Sequence, residues 1–244
     1  MTSPPSAYDE LGALYDSWSR SVTEDIDFYV ELALQSGGPV LEIGVGSGRI
    51  AIPTGLAGID VVGVDSSSAM LELARAKAAA HGLRLSLVRA DMRDLPDLGR
   101  FPLITIPFRA LLHLRTDAER LDVLRSLRAR LSRGGRVAFD VFHPAPADIE
   151  ETNGRWLERE PGIFEHAVWR PAERNLSLTV RARGRTGHME LWWAEPEDWA
   201  RLLREAGFAE VSCYGSFDRR PYAPGGTDTV WIAEAGGAEA RAGG

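Results

Sequence analysis

Hydrophobic and polar positions alternate in two rhythms along the first 142 residues. Short, nearly unbroken apolar runs such as Val61-Val62-Gly63-Val64 read as strands buried on both faces, while apolar residues three and four apart read as amphipathic helices. The spacing predicts an amphipathic segment over 23–35, a strand over 40–44, a helix to about residue 57 interrupted early by Pro53, and a strand over 61–65. Ser66, Ser67 and Ser68 offer N-caps to a helix carrying Met70, Leu71, Leu73 and Ala74, which Gly82 ends. Leu83, Leu85 and Leu87 alternate with polar residues in a third strand running up to Asp91, and a fourth occupies 102–106 before Pro107. Thr116 and Glu119 have capping-box spacing, and Leu121, Leu124, Leu127 and Leu131 mark the core stripe of the next helix. Gly134-Gly135 should end that helix before a fifth strand over 136–142. Strands alternating with helices predict an α/β fold with a parallel, doubly wound sheet.

The rhythm changes after residue 150. Alternation as in Leu176-Ser177-Leu178-Thr179-Val180 predicts antiparallel strands, with Gly184 and Gly187 marking a hairpin turn. A helix returns over 196–206, closed by Gly207, and two last strands follow near 209–216 and 228–234. The expected organisation is one domain, 1–244: lid helices at 8–35, a core at 36–149, a β-rich insertion at 150–194, the end of the core at 195–235 and a flexible tail at 236–244. Trp156, Phe164, Trp169, Trp192 and Trp193 make the insertion aromatic, as a roof over a ring-shaped ligand or as a contact face, for instance of a homo-oligomer.

Composition narrows the class. No stretch is apolar enough to span a membrane, no secretory leader is evident, and the single cysteine, Cys213, fits a reducing cytoplasm. A formal charge of −7 argues against nucleic acid as partner and leaves a small molecule. Arg125, Arg128, Arg130, Arg133 and Arg136 then read as a solvated helix end.

Chemistry gathers where strands end. The run Val40-Leu41-Glu42-Ile43-Gly44-Val45-Gly46-Ser47-Gly48 breaks a strand into three glycines, whose N–H groups can approach a ligand closely. Asp65 ends the second strand, Asp91-Met92 the third and Pro107-Phe108 the fourth. A carboxylate suits two adjacent ribose hydroxyls, and an acid followed by methionine suits the edge and face of adenine. A dinucleotide fold would want glycine where Arg49 stands.

As a set these residues resemble the class I S-adenosylmethionine-dependent methyltransferases, over about residues 8–234. The resemblance implies a Rossmann-like seven-stranded sheet with an antiparallel last strand, and S-adenosyl-L-methionine as cofactor. It places the methionine half of the cofactor on Glu42, Gly44, Gly46 and Gly48, the ribose on Asp65, and adenine on Asp91 and Met92. Ser66 and Met70 fall in the same site, with Pro107 and Phe108 facing the transferred methyl. The chain is similar in particular to small-molecule N-methyltransferases of natural-product tailoring, including amino-sugar enzymes. His113-Leu114 matches their histidine-leucine pair, and the stretch from Tyr8 to Asp16 their tyrosine-bearing lid. That likeness implies an amine acceptor, with His113 as base and Tyr8 and Tyr15 positioning the nucleophile; Tyr15 would also close on the cofactor. His143 is a second candidate base. Oxygen methylation, a protein side-chain acceptor and a non-catalytic binding role stay open. Asp140 is a possible but solitary metal ligand, and no metal is expected.

Overall fold

The computed structural model describes Gly12, Asp16, Trp18 and residues 21–236. Tyr8, Tyr15 and the tail beyond residue 236 lie outside the described residues.

Strands β1 (Val40–Ile43), β2 (Val61–Asp65), β3 (Ser86–Arg89), β4 (Phe101–Ile106), β5 (Leu131–Phe142), β10 (Glu210–Tyr214) and β11 (Asp228–Glu234) form one sheet in the order β10-β11-β5-β4-β1-β2-β3. β1 to β5 run parallel, and β11 lies antiparallel to both β5 and β10. Every residue of β1 is buried, as its apolar run requires, whereas edge strand β3 is half exposed.

Among the described residues, helices α1 (Ile26–Ser36), α2 (Ala51–Leu56), α3 (Ser68–Ala80), α4 (Asp117–Ala129), α5 (Pro146–Thr152) and α6 (Pro196–Glu205) accompany the strands. On one face of the sheet α1 buries Phe28, Tyr29 and Leu32 against Val40, Leu103 and Ala138. On the other, Leu124 and Leu127 of α4 and Trp199 and Leu202 of α6 pack with Phe139 and Trp231. β5 serves both layers by alternation. Val137, Phe139 and Val141 face α4 and α6, and Ala138 faces α1. Asp140, two residues on from Ala138, therefore also points toward α1.

Strand order reverses between β1 and β4, which is where open α/β sheets hold ligands. A second, four-stranded antiparallel sheet, β6 (Trp156–Glu160), β7 (Ile163–Arg170), β8 (Asn175–Ala182) and β9 (Arg185–Trp192), stands beside that edge. Its inner residues Leu176, Leu178, Val180 and Met189 join the main core.

Three expectations need correction. α4 stops at Ala129, and Leu131 opens β5, so Val123 rather than Leu131 completes the helix's buried stripe with Leu124 and Leu127. Gly187 is not in the hairpin turn: it sits in β9 opposite Val180, while Arg183 and Gly184, at φ 49° and 75°, make the turn. The arginines at the α4–β5 junction are not merely solvated. Arg130 donates to the carbonyls of Leu95, Pro96 and Ser126, and Arg128 to that of Ala235.

Candidate active site

Register assembles the site. Glu42 lies opposite Gly63 on one side and Thr105 on the other, so Gly44, Asp65 and Pro107 reach the same edge of the sheet together. Asp65 pairs with Arg89, and Ala90 N donates to the Asp65 carbonyl at 3.0 Å, which brings Asp91-Met92 to that edge as well.

The glycine turn is tight. Gly44 and Val45 both donate to Val64 O, at 2.8 and 3.0 Å, folding the chain back over β2. Gly44, Gly46 and Gly48 have φ of 70°, 54° and 86°, a region that side chains rarely tolerate. A Cβ on Gly44 would lie 3.0 Å from that of Ala110. Asp65 fastens this cradle: Oδ2 accepts from Gly46 N and Oδ1 from Ser67 N, both at 2.8 Å. A carboxylate offers about four acceptor positions, and these two bonds fix its orientation. Ser67, rather than Ser66, caps α3 by accepting from Met70 N, and Met70 is fully buried beneath it.

Glu42 is 2% exposed, and its Oε2 has no hydrogen-bond partner among the described residues. Burial pushes its carboxyl up to about 8, opposed by the charge of nearby Arg49. Asp91 is half exposed and clasped by Arg93, which donates from Nε at 2.9 Å and Nη2 at 2.7 Å; those bonds hold its carboxyl below the usual range. The edge thus carries a glycine cradle that a Cβ would fill, a buried acid with an orphan oxygen, and two anchored carboxylates. This donor and acceptor set fits a sulfonium nucleoside with an α-amino group, a ribose and an adenine.

Beyond β4 the backbone is strained. Phe108 and Arg109 follow each other at φ 55° and 64°, where ordinary residues cost about 1–2 kcal/mol each. The turn is held by Phe108 N donating to Asp140 Oδ1 at 2.8 Å. Tyr29 Oη donates to the same oxygen at 2.7 Å, and burial raises the Asp140 carboxyl to about 6. Arg49 lies over the Phe108 ring, 4.8 Å from its centroid, while binding Asp25 through two contacts of 2.6 Å. Trp18 meets Phe108 edge-on and donates to Glu165 Oε2 of β7 at 3.0 Å, tying the N-terminal segment to the insertion.

Phe108 and Asp140 line a cavity of about 820 Å³ between the sheet edge and the second sheet. Leu176, Leu178, Met189 and Leu191 form much of its roof. Of the insertion's aromatics, Trp169 faces it, Trp193 packs behind Trp169, and Trp156 and Phe164 are exposed. His113 also lines it, but as a different group from the base that the sequence implied. Burial pushes its ring down to about 4, and a ring N–H donates to the Glu190 carbonyl. His143 lines the cavity too, with Nδ1 3.4 Å from Glu195 and Nε2 3.3 Å from the Tyr222 hydroxyl.

The sequence thus pointed to Glu42, the glycines, Asp65, Asp91, Phe108 and His113, which the register and the cavity wall bring to one edge. It missed Tyr29, Asp25, Arg49 and Trp18, and saw Asp140 only as a stray metal ligand. An aspartate at the otherwise apolar end of a central strand was the available signal.

A glycine-cradled switch point with an acid at the ends of the next two strands, Asp65 and Asp91, fits a nucleoside-sulfonium site on a seven-stranded sheet. Residues 40–135 match a methyltransferase domain model. A methyltransferase-named protein from Geobacillus sp. (strain WCH70) is 30% identical over 225 residues, 86% of this chain and 89% of that protein. The cypemycin N-terminal methyltransferase of Streptomyces sp. is 24% identical over 90% of this chain and 94% of its own. Among solved structures, the CcbJ methyltransferase from Streptomyces caelestis superposes with a TM-score of 0.81 at 27% identity, covering 95% of this chain and 98% of that one. The chain belongs to the class I S-adenosylmethionine-dependent methyltransferases. No helix among the described residues is long and apolar enough to cross a membrane.

Proposed function

We propose that the enzyme moves the methyl group of S-adenosylmethionine to a nitrogen of a small-molecule acceptor held in the 820 Å³ cavity. The observation that carries this reading is the charge of the cavity wall. Glu24, Asp25, Asp140, Asp148, Glu151, Glu165 and Asp228 line it against only two arginines, Arg109 and Arg159. Those two are paired with Asp228 and Glu165, and Arg49 neutralises Asp25, which leaves Glu24, Asp140, Asp148 and Glu151 without an ion-pair partner among the described residues. A wall of unbalanced carboxylates favours an acceptor that carries, or acquires, positive charge. The product of nitrogen methylation is such a cation. The name of the cypemycin relative, an N-terminal methyltransferase, supports a nitrogen acceptor.

The cofactor, when bound, supplies an activated methyl on a sulfonium. What remains for the chain is alignment and exclusion of water, and positioning of this kind can contribute roughly 7–11 kcal/mol. Asp65 would hold the ribose, the glycine cradle and Glu42 the methionine half, and Phe108 would form the wall that the acceptor must pass. His113, neutral at physiological pH, offers hydrogen bonding rather than a proton store.

Two measurements test the reading. Calorimetry with S-adenosylhomocysteine should show Asp65→Ala weakening affinity by at least about tenfold, the scale of one lost charge-assisted pair of bonds. Unchanged affinity would count against the ribose assignment. Mass spectrometry of a pool of small amines and alcohols, incubated with enzyme and labelled cofactor, should put the label on amines. Label found only on hydroxyl groups would overturn the nitrogen reading.

A further inference from the structure

One carboxylate on the cavity wall has half of its bonding supplied by the protein. Asp140 is 7% exposed, and the two bonds it accepts, from Tyr29 Oη at 2.7 Å and Phe108 N at 2.8 Å, both fall on Oδ1. Oδ2 accepts no hydrogen bond from any described residue, and the side chain lines the cavity. An unpartnered carboxylate oxygen on a largely buried residue calls for a donor, and here the side open to one is the cavity. The neighbouring cations are committed elsewhere. Arg109 donates to Asp228 at 2.9 Å and lies over Phe142, while Arg49 is bound twice to Asp25.

The same carboxylate fixes the strained Phe108 turn, so its outward oxygen sits beside the residue that faces the methyl group. Competing proton acceptors are placed less well. His113 gives a ring N–H to Glu190, and both nitrogens of His143 lie within reach of Glu195 or Tyr222.

Resting on the nitrogen-acceptor reading above, we propose that Asp140 is a catalytic residue: its Oδ2 binds the N–H of the acceptor amine and takes the proton that nitrogen gives up. The nitrogen lone pair forms the N–C bond as the C–S bond breaks, and the electron pair of that bond stays on sulfur. The displaced proton passes from nitrogen to Oδ2 and then to solvent. A carboxyl held near 6 by burial is ionised at neutral pH, yet basic enough to share that proton.

Asp140→Asn tests this with little disturbance, because an amide oxygen can still accept from Phe108 N–H and Tyr29 Oη while NH2 replaces Oδ2. Methyl transfer from labelled S-adenosylmethionine is measured for phenethylamine, cyclohexylamine and a methyl aminoglucoside, each beside its alcohol counterpart. Affinity for S-adenosylhomocysteine and Tm are followed in parallel. The variant should lose about 100-fold or more in kcat/KM on amines and keep its S-adenosylhomocysteine affinity within about twofold. Asp140→Glu, which retains a carboxylate, should recover at least about a tenth of wild-type amine turnover, and it decides the matter if the asparagine variant does not fold. Undiminished amine turnover in Asp140→Asn overturns the assignment and leaves the nitrogen reading standing. Equal loss in both variants, or loss of S-adenosylhomocysteine affinity, reduces Asp140 to a scaffold and also overturns it. Wild-type enzyme that methylates the alcohols, or none of the amines, removes both readings together.

Discussion

Glu42 shows at the residue scale how an acid can sit inside a buried strand. Its neighbours Leu41 and Ile43 are fully buried, and nothing among the described residues bonds its Oε2. Burial therefore keeps the group largely protonated, with its carboxyl raised from 4.5 to about 8. A raised acid contributes stability that is complete below 4.5 and is lost as pH climbs through 8, because the unfolded chain gives up its proton first. Inside that window the loss is at most roughly 1.4 kcal/mol per pH unit, or about 3–5 °C of Tm at this length. Glu42→Gln should flatten the fall in Tm between pH 6 and 8, and parallel wild-type and variant curves by differential scanning fluorimetry would refute the assignment. Much of the site was readable at this scale because the motif is local: the glycines, Asp65 and Asp91 lie next to their strand ends. The Asp140 cluster was not, since Tyr29 meets Asp140 across 111 positions of sequence. The positive φ of Phe108 and Arg109 was equally hidden, for neither residue type signals a left-handed turn.

At the scale of elements, periodicity located the parallel strands and their helices to within a few residues, and it failed where one pattern runs into the next. Leu131 continues the spacing of α4, so the sequence assigned it to the helix, yet β5 captures it by pairing Leu131 with Phe101. Helix starts were clearer because their chemistry is local. Thr116 accepts from Glu119 N at 3.2 Å, and Glu119 Oε2 accepts from Thr116 N at 3.1 Å and Arg115 N at 2.7 Å. Thr116→Ala removes the threonine half of this box and should cost about 1 kcal/mol, lowering Tm by about 2–4 °C. Because α4 packs on the face opposite α1, amine methylation measured in the same preparation should be unchanged; a fall in turnover without a fall in Tm would contradict the purely structural role given to this cap. The insertion was legible as antiparallel sheet, but not which of its aromatics face inward. Alternation of Trp156 and Phe164 with polar residues looks the same whether the cavity or solvent lies on that side.

For the whole molecule, three described buried groups that titrate between pH 4 and 8 pull stability in different directions. Glu42 and Asp140, raised to about 8 and about 6, both favour the folded chain at lower pH. His113, pushed down from 6.5 to about 4, does the opposite: its contribution is present above 6.5 and is lost as pH falls through 4, because the unfolded ring charges first. Between 4.5 and 6 the two acids outweigh the histidine by one proton, from 6 to 6.5 Glu42 and His113 offset one another, and from 6.5 to 8 Glu42 acts alone of the three. Wild-type stability attributable to these sites should therefore fall from about pH 4.5 to 6, level off between 6 and 6.5, and fall again toward 8. His113→Gln removes the opposing member. Its urea midpoint, compared with wild type, should rise on going from pH 6.5 to 5, since the two acids then act without a counterweight. A variant that instead tracks wild type across that interval would mean that His113 is charged in the folded cavity. The histidine would then add positive charge to a wall otherwise dominated by carboxylates, and the case for a cationic acceptor would weaken with it.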